Sequence, residues 1–255
     1  MFKAYNLEVP AGYNGAPSCE DYEQQIEINR QQARKGLENF FKNGVIDAAA
    51  LEHEWFSPQK PHVFLSHSHA DIDVAMGIAG ALTKCLGIEC FIDSFVWGYA
   101  NDLLHSIDKE FCWLKDKGFY SYDKRNLSTS HVHMMLSGAL AKVMDRSECV
   151  IFLNSPKSIK TGDVIQSGGT KTASPWIYHE LLMTKLLRPR RPSRPKPTLE
   201  DFHKSTASKE DFPEILYDAP ISHMPKLSVD DLEEWLCCNL KGEGALDYLY
   251  ENHIK

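Results

Sequence analysis

The 255-residue chain is long enough for one large domain or two small ones, with a core sufficient for independent stability. An apolar fraction of 43% and a charged fraction of 25% are typical of globular proteins, and the net charge of -7 argues against general nucleic-acid binding. The seven cysteines form no CxxC pair, which argues against a zinc ribbon or a disulfide framework.

The N-terminal segment contains no apolar signal sequence, and no apolar run in the chain approaches the ~18 residues needed to span a bilayer. We therefore expect a cytoplasmic protein without a membrane partner.

Residues 1–18 are rich in turn formers and are predicted to be an irregular arm. Helices are predicted from about Glu20 to Lys42 and from Asp47 to Phe56. Residues 1–60 are thus predicted to be an N-terminal helical extension that precedes a domain over residues 61–255.

The next segment has the pattern of a strand, a helix and a second strand. His62–Ser66 is predicted to be a short buried strand, and Ser68 with Asp71 resembles a capping box at the start of a helix. Gly87 ends that helix, and Ile88–Asp93 is the following strand. A strand, helix and strand within about thirty residues indicate a βαβ unit, which requires a parallel sheet with a right-handed crossover.

The middle of the chain is predicted to begin with a loop over Ser94–Asn101, followed by a helix over Asp102–Trp113. The polar stretch 115–130 is interpreted as an insertion, and Ser130 is predicted to cap the next helix. Cys149–Leu153 is the clearest apolar run in the chain and is predicted to be the third strand.

The last third of the chain is predicted to contain fewer regular elements. A long glycine-containing loop covers residues 156–173, and the basic, proline-rich stretch 188–197 leaves little room for regular structure. Glu214–Tyr217 is predicted to be a further strand. Ser228 and Asp231 are predicted to cap a final helix.

Glu180 is a carboxylate among apolar residues on a predicted helix that opens at Ser174 and Pro175. Helical spacing predicts that four residues share one face: Trp176, Glu180, Met183 and Leu187. A carboxylate flanked by apolar surface is costly unless it is paired, protonated or used in chemistry. The alternative interpretation is a partly exposed glutamate beside a core stripe.

A metal site is one hypothesis for the segment after the first predicted strand. His67, His69 and Asp71 resemble the HxHxDH motif of metallo-β-lactamase-fold hydrolases, which binds two zinc ions. Ile72 stands where that motif has its final histidine, so a second metal ion would lose a ligand. A metallohydrolase that uses His67, His69 and Asp71 is therefore an alternative, and no metal ion is expected in the preferred interpretation.

The same segment also opens a longer series of matches. Residues 61–187 resemble the TIR (Toll/interleukin-1 receptor) domain family, including its bacterial NAD-cleaving, antiphage-defence type. The matching strands end in serine or aspartate, a loop follows the second strand, and the final helix has tryptophan and glutamate four residues apart. The five matching segments occur in the family's order: Phe64–Asp71, Gly87–Asp93, Ser94–Leu103, Ser147–Ser155 and Ser174–Leu181. The insertions near 115–130 and 156–173, and the segment after Arg188, depart from the family pattern.

The resemblance implies a fold and a reaction. TIR domains have a flavodoxin-like α/β fold with a parallel sheet, and ligands bind at the carboxyl ends of the strands. Some members cleave NAD+ and others are non-catalytic assembly modules. Catalytic members use a glutamate on the helix, a position that Glu180 occupies in this sequence. A carboxylate there stabilises the positive charge that develops on ribose as nicotinamide leaves.

Further site residues and partners follow from the resemblance. NAD+ is expected as substrate and not as a resident cofactor. Self-association through TIR surfaces is expected, together with a downstream effector that the nucleotide product activates, as in Thoeris antiphage systems. Asp71 is predicted to cap its helix. Six residues are the predicted nucleotide contacts: Ser66, His67, Ser68, Asp93, Trp97 and Trp176. Packing roles for both tryptophans, and a structural role for Glu180 in an assembly module, are the alternatives.

Overall fold

The computed structural model describes six parts of the chain: residues 1–13, 41–42, 45–50, 60–161, 169–193 and 216–252. The contacts divide the chain into two compact units. The first comprises Met1–Tyr22, Lys60–Asp93 and Val143–Lys255, and the second comprises Glu23–Gln59 and Ser94–Lys142. This division differs from the predicted boundary at residue 60, because the N-terminal residues belong with the following sheet.

The described strands, numbered along the chain, are β1 (Lys3–Glu8), β2 (Phe41–Lys42), β3 (Val45–Ile46), β4 (Val63–Ser66), β5 (Cys90–Ile92), β6 (Trp113–Leu114), β7 (Phe119–Tyr120), β8 (Cys149–Asn154), β9 (Lys160–Thr161), β10 (Thr170–Thr172), β11 (Tyr217–Asp218) and β12 (Lys226–Leu227). The described helices are α1 (Ile72–Leu86), α2 (Ser94–Ile107), α3 (Tyr122–Arg146), α4 (Pro175–Leu186), α5 (Val229–Leu236) and α6 (Glu243–Asn252). A 3-10 turn over His69–Asp71 precedes α1, and a π-helical turn over Asp108–Cys112 follows α2.

A parallel five-stranded sheet with the strand order β12-β1-β8-β4-β5 forms the centre of the first unit. The chain passes from β4 through α1 to β5 on one side, and β8 pairs with the opposite side of β4. The direction of winding therefore reverses between β4 and β8, the place where open α/β sheets have their ligand crevice. The predicted α/β class with a flavodoxin-like parallel sheet is confirmed.

Strand β1 corrects the prediction of an irregular arm over residues 1–18. It pairs in parallel with β8 on one side and with β12 on the other, so it is an interior strand. Tyr5 and Leu7 are fully buried, and Asn6 between them is also buried. An interior strand of a parallel sheet is covered on both faces and has no polar alternation. The polar Asn6, with Lys3 and Glu8 at the strand ends, concealed this element in the sequence.

The predicted N-terminal helices lie largely outside the described residues. Phe41–Lys42, the end of the predicted Glu20–Lys42 helix, instead pairs with Val45–Ile46 in an antiparallel hairpin. Of the predicted Asp47–Phe56 helix, residues 47–50 are described, and 48–50 of these are helical.

The segment between the second and third predicted strands is more regular than its sequence indicated. Helix α2 starts at Ser94, which replaces the predicted loop over Ser94–Asn101. The supposed insertion 115–130 contains the β6–β7 hairpin and the first turns of α3, which starts at Tyr122. Ser130 does not cap this helix, because its hydroxyl donates to the Asn126 carbonyl within it. Most of the first two turns of α3 are exposed, so they have no apolar pattern to indicate a helix.

Other elements agree with the prediction. Gly87 ends α1 in the left-handed conformation with φ of 62°, and its N–H donates to the Thr83 carbonyl at 2.9 Å. Ser228 and Asp231 form a complete capping box at the start of α5. Residues 188–193 have no regular structure, as the proline-rich sequence predicts, and the rest of that stretch lies outside the described residues.

The predicted loop over 156–173 contains β9 and β10, and β10 pairs with both β9 and β11 in a small antiparallel sheet. Strand β12 and helix α6 were not predicted. In the part of the chain that the structure describes, no helix is long and apolar enough to cross a membrane.

The position of β1 leads to a test of stability. We expect Leu7→Ala to lower the free energy of unfolding by about 2–5 kcal/mol, because it removes a fully buried side chain from the sheet. Leu186→Ala is the matched control, since Leu186 is 62% exposed on α4, and its loss should be much smaller. Urea denaturation measures both. Equal, small losses for the two variants would contradict an interior position of β1.

Candidate functional site

The carboxyl ends of three adjacent strands bring polar side chains to one edge of the central sheet. Ser66 ends β4, Asp93 follows β5, and Ser155 follows β8. Polar side chains at such an edge are usually exposed, but here they are largely buried. Eight of them lie in the first unit: Ser66, His67, Asp71, Asp93, Ser155, Ser158, Thr172 and Glu180.

Helix α4 carries Glu180 to this edge. The Ser174 hydroxyl accepts a hydrogen bond from the Ile177 N–H at 3.2 Å, and Pro175 is the first helical residue, as predicted. The buried face of α4 differs from the predicted face, because Trp176, Met183 and Leu187 are only partly buried. The residues on the buried face are Ile177, Glu180, Leu181 and Thr184.

Glu180 is 0% exposed and is held by one hydroxyl. Ser66 Oγ donates to Glu180 Oε2 at 2.5 Å. The other oxygen, Oε1, accepts no hydrogen bond from a protein donor in the described part of the chain. A buried carboxylate oxygen without a donor is costly, so this oxygen favours a proton.

Asp93 lies beside Glu180 and reinforces that preference. Burial, and next the charge of Asp93, raise the pKa of Glu180 well above its ordinary value of 4.5, whereas the Ser66 hydrogen bond acts in the opposite direction. The two carboxyl groups are within hydrogen-bond reach, and such a contact requires that one of them carry a proton. Glu180 therefore favours its protonated, uncharged form more strongly than an exposed glutamate does.

His67 is the basic side chain of this group. Its Nδ1 lies 2.9 Å from Asp93 Oδ1, and both side chains are almost completely buried. Burial lowers the pKa of His67, whereas the charge and the hydrogen bond of Asp93 raise it. The pKa of His67 is raised above its ordinary value overall. We refer to Ser66, His67, Asp93 and Glu180 as the carboxyl cluster.

Asp71 has a different role from the predicted one. Neither Ser68 nor Asp71 forms a side-chain capping bond. Asp71 Oδ2 instead accepts a hydrogen bond from Ser155 Oγ at 2.5 Å, and Asp71 Oδ1 pairs with Lys157 Nζ at 3.0 Å. These two donors from the loop after β8 stabilise the buried Asp71 carboxylate. Asp71 therefore connects the loop after β4 to the loop after β8.

The loop after β8 supplies residues that the sequence analysis did not select. Ser155 Oγ accepts hydrogen bonds from the N–H groups of Lys157 and Ser158 while it donates to Asp71. Thr172 Oγ1 donates to the Ser158 carbonyl and accepts from the Ser174 N–H, which connects this loop to the start of α4. In the sequence, the signal for this loop was Ser155, a serine that follows the third predicted strand.

The other predicted nucleotide contacts are not members of the carboxyl cluster. Ser68 and Trp176 are partly buried. Trp97 lies in helix α2 and not in the predicted loop, and its side chain is outside the described part of the structure.

The metal hypothesis is not supported by this geometry. His67 faces Asp93, His69 is exposed, and Asp71 pairs with Ser155 and Lys157. Among the described residues, no group of three histidine, cysteine, aspartate or glutamate side chains is arranged to hold a metal ion.

Comparison with known proteins does not assign the chain to a family. No family model, curated protein or solved structure matches it. The TIR resemblance therefore stays a prediction from the order of five sequence segments.

Burial of Glu180 leads to a prediction about stability and pH. A carboxyl whose pKa is raised on folding stabilises the protein below its unfolded pKa, and this stability is lost as the pH rises through the folded pKa. We expect Glu180→Gln to lack this loss, because glutamine keeps the uncharged shape of the protonated acid. Wild type should lose up to about 1.4 kcal/mol per pH unit relative to this variant within that window.

Urea denaturation of both proteins from about pH 5 to pH 9 measures this difference. Glu89→Gln is the control, because it makes the same change at an exposed site at the opposite end of β5. Identical slopes for wild type and Glu180→Gln would show that the Glu180 carboxyl has no raised pKa in the folded state.

Proposed function

We propose that this protein cleaves the bond between nicotinamide and ribose in NAD+, with Glu180 as the residue that stabilises the sugar cation. The observation that supports this most strongly is the position of its carboxyl. It is fully buried, hydrogen-bonded to Ser66 and adjacent to Asp93, at the carboxyl edge of a parallel sheet.

The reaction needs few protein groups. The electron pair of the glycosidic bond moves to the pyridinium nitrogen, so nicotinamide leaves as a neutral molecule without a general acid. Positive charge remains on C1′ and the ring oxygen of ribose, as in glycoside cleavage. Water or another hydroxyl then adds to C1′ and loses its proton. One well-placed carboxylate in a site of low dielectric constant is the main requirement.

Glu180 has the properties of such a carboxylate once it is ionised. The Ser66 hydrogen bond fixes its orientation and favours the charged form, and burial removes competing water. The pyridinium ring of NAD+ carries a positive charge, and a cation next to Glu180 lowers the cost of ionisation. The free acid of the resting site is therefore compatible with a carboxylate in the substrate complex.

The position in the sheet also agrees with this function. The cluster lies beyond the carboxyl ends of β4 and β5, next to the reversal between β4 and β8, where open α/β sheets bind ligands. Ser68, Trp97 and Trp176 remain predicted contacts for the nucleotide. Ser66 and His67 are proposed to act mainly through Glu180 and Asp93, which they contact.

The biological setting is proposed from the TIR resemblance. The product is an ADP-ribose-derived signal, cyclic or conjugated, that activates a separate effector in the cytoplasm during bacterial antiphage defence. Self-association through TIR surfaces belongs to the same proposal.

A non-catalytic assembly module is the second candidate, and the complete burial of Glu180 is the observation that favours it. In that case the Ser66–Glu180 hydrogen bond only fastens α4 to the sheet. The two candidates differ in whether the purified protein releases nicotinamide from NAD+.

We expect wild type to release nicotinamide, and Glu180→Gln and Glu180→Ala to lower the rate by at least about 100-fold, because each removes the charge that stabilises the transition state. Chromatography of free nicotinamide measures the rate at dilute and at high protein concentration. Glu89→Gln, at an exposed position, should retain the wild-type rate.

Circular dichroism of each variant separates a loss of chemistry from a loss of fold. Full activity in folded Glu180→Gln would remove Glu180 from the mechanism. A folded wild type that releases no nicotinamide at any concentration would contradict the enzyme and favour the assembly module.

A further inference from the structure

We propose that Asp93 and His67 are positioning residues that, with Glu180, form a proton switch which makes the site selective for nucleotides whose base is a cation. Asp93 keeps the proton on Glu180 while the site is empty, and His67 supplies the charge that permits its release when a cationic ring binds. This inference rests on the proposed function and specifies how the same site recognises its substrate.

The first step of the argument is the adjacency of two buried acids. Glu180 has one donor, Ser66, at Oε2, and Oε1 has none among the described protein groups. The Asp93 carboxyl is within hydrogen-bond reach of Glu180. Two adjacent carboxylates cannot both ionise in a buried site without a large cost, so the pair holds one proton.

The second step is the charge of the whole cluster. With the proton in place, Glu180 is neutral, and the Asp93 carboxylate is balanced by the His67 imidazolium at 2.9 Å. The cluster then has no net charge. Loss of the proton leaves one uncompensated negative charge. A ligand with a single positive charge restores neutrality, whereas a neutral ligand does not.

The third step concerns the other charges that act on the cluster. Asp71 is a weaker influence on His67, and its own charge is balanced by Lys157 at 3.0 Å. Among the described residues, Asp93 is the charged group that acts directly on Glu180, the Ser66 hydroxyl acts on it in the opposite direction, and His67 acts through Asp93. These neighbours together determine whether Glu180 carries the proton.

The Glu180 proton leaves when the substrate binds and is replaced by a proton from water after the bond is cleaved. Binding of NAD+ releases one proton from Glu180 to solvent and leaves its carboxylate beside the pyridinium ring. Nicotinamide then departs with the electron pair of the glycosidic bond. Water adds to C1′, and its proton returns to Glu180. The sum is NAD+ and water giving ADP-ribose, nicotinamide and one proton.

Proton release on binding is the first test, and it does not depend on turnover. The probe is the carbocyclic analogue of NAD+, which keeps the pyridinium ring but has no ring oxygen to support a sugar cation. Titration calorimetry in two buffers of different ionisation enthalpy counts the protons. We expect about one proton released per bound analogue below the pKa of the pair. NADH, whose ring is neutral, should bind more weakly and release none.

Binding of the analogue without proton release would overturn the switch even if NAD+ cleavage is observed. Equal affinity for NADH and the analogue would do the same. Failure of both to bind would contradict the proposed function as well. This test uses wild type, so it stands even where a substitution in the cluster prevents folding.

The pH profile of kcat/KM is the second test, because the two positioning residues have opposite effects. Asp93→Asn removes the neighbouring negative charge, so the acid limb should move to lower pH. His67→Gln removes the compensating cation, so the limb should move to higher pH. We expect shifts of about one pH unit or more, and no shift for Glu89→Gln. A purely structural role would lower kcat/KM without moving the limb, and that result would overturn the proposal.

Discussion

The hydrogen bond between Ser66 and Glu180 is the interaction on which the site depends. It joins the end of a central strand to the middle of α4, across 114 positions of sequence. A carboxyl with no exposure to water needs a donor, and among the described residues the sheet edge supplies Ser66. The helix is therefore held against the sheet by a polar contact as well as by its apolar face. The same contact places a titratable group beside Asp93, where its proton becomes sensitive to nearby charge.

Two buried acids at this edge have different surroundings. Asp71 pairs with a lysine and a serine hydroxyl, so its charge is balanced within the protein, and it ties two loops together. Among the described residues, the direct neighbours that act on Glu180 are a serine hydroxyl and a second acid, whereas the basic His67 contacts Asp93. This difference separates a structural carboxylate from one that can respond to a ligand. A cationic base is the ligand that we propose for it.

The elements that could be predicted have local signals. Val63–Ser66 and Cys149–Asn154 are short apolar runs, and α4 starts with a serine cap followed by proline. Strand β1 had no such signal, because its polar Asn6 is buried by tertiary packing between two other strands. The first turns of α3 were missed for the opposite reason, since most of their residues are exposed and carry no apolar pattern. Pattern analysis depends on a contrast between a buried and an exposed face, and both segments lack it.

For the site, the sequence determined which residues end the strands and that Glu180 lies on a helix among apolar neighbours. It also identified Ser66, His67 and Asp93 as polar groups at strand ends. Only the tertiary structure decided that Ser66 binds Glu180, that His67 pairs with Asp93, and that Asp71 binds Ser155 instead of capping its helix. Local preferences act over a few residues, whereas these contacts form where the packing of helices and loops on the sheet leaves a buried polar group without water.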